Sequence, residues 1–137
     1  MTFFQRQDVG RVYVLRMVLP GDVVVHKIGM TKTNRSLDRM LELLRSWFTM
    51  YRFVPYTELK LDMECGYPLE LESHIHQILK HKQFIPTHKV EGRTEMFIDL
   101  DEFRVLSYLR AFNDDLIRSG LDLTEEDYKH LGQLISP

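Results

Sequence analysis

Four short stretches of the chain carry side chains that can work on a proton, a metal or an anion. Tyr13 lies in the run VYV, His26 and Lys27 close the run VVV ahead of Ile28-Gly29, Glu72 and His76 fall in LELESHIH, and Glu95 falls in GRTEMF. A strand that ends in two cationic side chains and a glycine holds those groups rigidly. Glutamate and histidine at i and i+4 share one helix face, though as a metal pair they are weak alone. Glu95 is followed by Met96 and Phe97, apolar company for an acid that would only meet solvent. Lys27, Lys32, Arg35, Arg39, Arg45 and Arg52 crowd residues 27–52 against only Asp38 and Glu42, a local basic patch suited to phosphate. Each residue also has a plain reading. Tyr13 can pack its ring in a core, Glu95 can sit on a strand surface, Arg39 can snorkel over apolar neighbours, and His76 can cap a helix surface. His26 should face away from Lys27 on a regular strand.

Secondary elements must position these groups. GRVYVLRMVL and VVVHKIG flank Pro20-Gly21-Asp22, which reads as an antiparallel hairpin. Leu37, Met40, Leu41, Leu44 and Phe48 recur at helical spacing, widened by Leu43 and Trp47, with Asn34 or Ser36 as N-cap. Residues 54–63 alternate as a third strand, Gly66-Tyr67-Pro68 breaks it, and 69–81 predict a helix with Leu71, Ile75, Ile78 and Leu79 on one face. His74 and His81 read as exposed on that helix. TEMFIDL predicts a short strand or extended segment. Asp101 can cap a helix that stops at Gly120, and Thr124 begins a short last helix. The order β-β-α-β-α-β-α-α predicts an α+β fold: a small central antiparallel or mixed three-stranded sheet flanked by helices, with extra C-terminal helices.

Bulk properties bound the function. A chain of 137 residues, 44% hydrophobic, is one ordinary domain with a sufficient core. One cysteine, Cys65, excludes an internal disulfide and fits a reducing compartment. No segment has the apolar length of a membrane span, so the expectation is a cytoplasmic protein without a membrane partner. A net charge of −2 is not that of a non-specific nucleic-acid binder.

The order of the motifs carries a resemblance. Arg11-Val12-Tyr13, Lys27-Ile28-Gly29, Arg39, Glu72 with His76, and Glu95 in TEMF follow one another as in the GIY-YIG nuclease superfamily, most closely its small phage-associated branch. The resemblance covers about residues 10–100, and implies a nuclease domain over 1–100 with a helical extension over 101–137. Arg11 stands where the family has its first glycine, and Lys27 where it has its second tyrosine. The resemblance implies a metal-dependent endonuclease acting on DNA with Mg²⁺ or Mn²⁺. Tyr13 and Lys27 would work on the attacking water, Arg39 and His76 on the phosphate, and Glu95 would hold the metal. Gly29 would let the chain turn and the substrate approach, with Thr31, Lys32 and Arg35 as further substrate contacts. The sequence shows no second carboxylate close to Glu95, which fits one metal. Two other readings stand beside this one: a nucleic-acid-binding or regulatory module with cleavage lost, and a protein-interaction domain using the late acidic helices. Association into a homodimer is left open.

Overall fold

The computed structural model describes residues 10–32 and 34–119, with side chains as far as residue 114. The helix expected from Thr124 and the stop at Gly120 lie outside the described residues. The elements are β1 (Gly10–Leu19), β2 (Val23–Thr31), α1 (Ser36–Tyr51), β3 (Tyr56–Cys65), α2 (Pro68–Ile78), a 3-10 turn (Lys80–Lys82), β4 (Met96–Ile98) and α3 (Glu102–Ser119). The sheet has four strands in the order β3-β1-β2-β4. Every pairing is antiparallel. The expected three-stranded sheet is therefore corrected to four. The segment TEMFIDL, expected as a short strand or extended segment, supplies the fourth strand with three residues, Met96–Ile98, too short for its sequence to show that it joins the sheet.

Gly21 and Asp22 take φ of 83° and 59° at the β1–β2 turn. Glycine adopts this region freely, and aspartate is among the few L residues that tolerate it. The turn fixes the register Leu19↔Val23 through Tyr13↔Gly29. Both sheet faces are covered, which explains why β1 reads as an almost continuous apolar run. Val12, Val14, Ile28 and Leu61 pack with Leu71 and Ile75 of α2 and with Val105, Leu109 and Phe112 of α3. On the other face Tyr13, Leu15, Met17 and Val25 pack with Leu43 and Trp47 of α1 and with Val90 and Met96. Among the described residues, no helix is long and apolar enough to cross a membrane.

Three local expectations are corrected. On α1 the buried residues are Ser36, Leu43 and Trp47, while Leu37, Leu41 and Phe48 are exposed. The helix turns a different part of its apolar arc to the sheet. Its N-cap position is Arg35 without a side-chain cap, because the Ser36 hydroxyl instead donates to Asp62 Oδ1 at 2.7 Å. His74 is buried and hydrogen-bonded to the Tyr108 hydroxyl between α2 and α3. Burial lowers its pKa from the usual 6.5 to about 4.

Candidate functional site

Residues directly opposite in an antiparallel ladder point to the same face. Tyr13 pairs with Gly29 and Leu15 with Lys27, so Tyr13, Lys27 and Gly29 share the α1 face. Lys27 is 2% exposed. An ammonium at that depth needs a partner, and it pairs with the Glu95 carboxylate. The Ile28 N–H donates to the Glu95 carbonyl at 3.1 Å, so the β2–β4 ladder delivers Glu95 beside Lys27. Lys27 Nζ also lies 5.2 Å from the centre of the Tyr13 ring, within cation–π reach.

Two glycines make room for this cluster. A Cβ on Gly29 would meet Tyr13 Oη at 2.6 Å and Lys27 Nζ at 2.8 Å. Gly29 thus lies within β2 rather than where the chain leaves the sheet, which corrects the expectation of a turn. Gly92, with φ of 68°, brings its backbone against the lysine from the loop side, where a Cβ would fall 2.7 Å from Lys27 Cε and 3.3 Å from Glu95 Oε2.

Arg39 enters from α1. It lies near the Tyr13 hydroxyl and 3.3 Å from both Glu42 and Glu91 carboxylates. Burial works against its charge, but Tyr13, Glu91 and Glu42 together hold its pKa above the ordinary value. Arg35, one turn earlier, pairs with Glu42 at 3.0 Å and with Asp38 at 3.6 Å, so it joins the cluster only through Glu42. Thr31 is buried at the end of β2, and Lys32 follows it on the surface.

Glu72 and His76 approach β2 along its outer edge. β4 pairs with Val25, His26 and Lys27 and then ends. Beyond that point His76 Nε2–H donates to the Ile28 carbonyl at 2.7 Å, and the Glu72 carboxylate accepts the Met30 N–H. Four helical residues rise about 6 Å, and two strand residues span about 6.7 Å. The E-x-x-x-H spacing therefore matches alternate residues of a strand edge, and α2 completes the ladder that β4 leaves unfinished. Burial, then a smaller contribution from Lys27, lowers the His76 pKa, against the pull of the Ile28 carbonyl and Glu95. Its neutral ring keeps the proton on Nε2.

Glu72 was missed as a site residue. Burial first, then the charge of Glu95, push its carboxyl up to about 7, against Lys27, the Met30 N–H and Arg39. A second carboxylate does stand near Glu95, although far from it in the chain. Glu91 and Gly92 were missed as well, because the loop that carries them has no periodicity to read. Glu95 remains about a quarter exposed on its side chain, and Arg39 rather more, so the cluster opens to solvent on this side. Among the described residues, no group of three or more His, Cys, Asp or Glu side chains gathers as a metal cage. Comparison of the chain with protein-family models, with curated proteins and with solved structures finds no match.

Proposed function

We propose that this chain is a metal-dependent endonuclease that hydrolyses DNA phosphodiester bonds in the manner of the GIY-YIG superfamily it resembles. One observation carries the reading. A phenol, an ammonium, a guanidinium and a carboxylate, from Tyr13, Lys27, Arg39 and Glu95, converge from distant parts of the chain on one partly open spot. Phosphodiester hydrolysis needs a proton taken from water and charge neutralised on the phosphate, and these groups supply both.

Tyr13 is placed to take or relay the proton. Arg39 lies near its hydroxyl, and the Lys27 ammonium lies 5.2 Å from its ring centre. Arg39 remains a cation and exchanges its carboxylate partners for a phosphate, which a planar guanidinium binds in bidentate fashion. Glu95 would hold the metal. Its hard oxygen donors and exposure suit Mg²⁺ or Mn²⁺, and a dication would relieve the repulsion that Glu95 exerts on Glu72. Such an ion, when bound, supplies Lewis-acid stabilisation of the phosphate and leaving oxygen. His76 acts as a positioning residue here, because its N–H is engaged by β2. Thr31, Lys32 and Arg35 border the path of the substrate backbone.

A second reading, a binding or regulatory module on the same fold, is favoured by one feature. Lys27 and Arg39 already face carboxylates of their own chain. Incubation with supercoiled, linear and single-stranded DNA under Mg²⁺, Mn²⁺ or EDTA separates the two. A nuclease gives EDTA-sensitive cleavage that falls at least about a hundredfold in Glu95→Gln, with the circular dichroism of the wild type. Undiminished cleavage in that variant removes Glu95 from the site. Salt-sensitive binding without cleavage supports the binding module, and neither binding nor cleavage at low salt overturns both readings.

A further inference from the structure

α1 turns a line of apolar side chains away from the sheet. Leu37, Leu41, Leu44 and Phe48 follow at intervals of four, three and four, the spacing of a helix–helix seam. Leu37, Leu41 and Phe48 are 59%, 57% and 49% exposed, and Leu44 between them is half-buried. Single exposed leucines are ordinary, but a contiguous row of large apolar side chains marks a contact surface. The row lies away from the candidate site. Leu37 and Leu41 are each two positions from Arg39, hence about 200° around the helix from it.

The charges beside the row indicate what covers it. Asp38 follows Leu37 and Arg45 follows Leu44, the same flanking position in successive heptads. Both are exposed, and the present contact of Asp38 is a loose surface pair with Arg35 at 3.6 Å. In a twofold pair of antiparallel helices, Leu37 packs against the partner subunit's Phe48 and Leu41 against the partner subunit's Leu44. That register sets Asp38 beside the partner subunit's Arg45, and symmetry repeats the pair. The seam is self-complementary in shape and in charge.

We propose that the exposed face of α1 docks a second copy of this chain, as an antiparallel α1–α1 pair closed by reciprocal Asp38–Arg45 bridges. The inference is independent of the site chemistry, since it uses the opposite side of the helix and either can fail alone. Sedimentation of the full chain over a range of concentrations tests it, with circular dichroism to confirm that each variant is folded. The wild type should dimerise reversibly, and Leu41→Glu should be monomeric. Asp38→Arg and Arg45→Asp should each weaken the dimer about tenfold, because each sets like charges together twice, and the double variant should recover to within about threefold of wild type. A wild type that stays monomeric up to about 200 μM, well above the micromolar affinity range, overturns the proposal and leaves the face to another partner or to the chain's own residues. A dimer indifferent to Leu41→Glu, or a double swap that stays weak, also overturns it.

Discussion

His26 and Lys27 are neighbours on β2, they point to opposite faces of the sheet, and each meets a glutamate. His26 reaches Glu102 at the start of α3 at 2.9 Å, and Lys27 reaches Glu95 just before β4. Their surroundings differ. Around His26 the neighbouring pairs form a chain along the surface: Arg16 with Glu58, Glu58 with Lys60, and Lys60 with Glu102. Around Lys27 the groups gather at a point, with Tyr13 above the strand, Arg39 from the helix and Gly29 and Gly92 leaving space. A pair of opposite charges says little about function by itself. What marks the Lys27 side is convergence of several proton-bearing and anion-binding groups, packed against the bare backbone of two glycines.

The largest expected effect separates the two neighbours directly. Lys27→Met should lower the cleavage rate at least about a hundredfold. His26→Leu should keep it within about threefold and shift stability by under about 1 kcal/mol, because it loses one hydrogen bond and also a buried Nδ1 with no partner. Equal loss of cleavage in both variants would erase the distinction.

The next effect belongs to the α2–α3 side. The folded pKa of His74 lies below its unfolded value, so between these two values the unfolded chain takes up a proton that the folded chain refuses. Stability is then complete above about pH 6.5 and falls as pH drops towards 4, by on the order of 3 kcal/mol in all. Urea unfolding at pH 7 and pH 4.5 should show the fall, and His74→Phe should flatten that part of it. An unchanged slope in the variant would assign the loss to other groups.

Gly29→Ala comes third. The added methyl collides with Tyr13 and Lys27 and should cost about 1–3 kcal/mol as overpacking, with cleavage falling more steeply than thermal stability. The smallest effect is at Glu91, which pairs with Arg39 and under the proposed function would compete with DNA for it. Glu91→Gln should tighten DNA binding about threefold at low salt, a gain that disappears at high salt, measured by fluorescence anisotropy. No change would mean that Glu42 alone holds the arginine.

The hairpin, α1 and α2 were legible because each repeats one period over many residues and is punctuated by Pro20-Gly21-Asp22 or by Gly66-Tyr67-Pro68. The inward face of α1 was not. Its apolar arc is wider than the sheet can cover, so Leu43 with Trp47 and Leu37 with Leu41 compete as the buried stripe, and only packing against β1 and β2 decides. Tyr13, Lys27 and Glu95 could be picked out as candidates, since an extended run with polar intrusions is visible in one dimension. Glu72 was not legible as a neighbour of Glu95, because their proximity depends on how α2 lies along β2. The role of Gly29 depends on a cross-strand register that spacing alone does not reveal. His74 looked exposed because a polar residue on a helix carries no sign of the tyrosine that will reach it from α3.

The unfinished edge of β2 has a consequence for solubility. An exposed strand edge is a template for another chain, and proteins that leave one open tend to aggregate. Here the edge beside the candidate site is occupied at Ile28 and Met30 by side chains of α2. The outer side of β4 is met by Gln83 and Phe84. On the far edge, β3 slips register between Leu59 and Leu61, which leaves Lys60 unpaired in the ladder and sets a charged side chain where an incoming strand would have to align. Replacing Glu72 and His76 together with alanine would therefore do more than disturb the rim of the candidate site. It would uncover hydrogen-bonding groups that a second molecule can use, and the first symptom would be fibrillar or amorphous association at concentrations where the parent chain stays in solution.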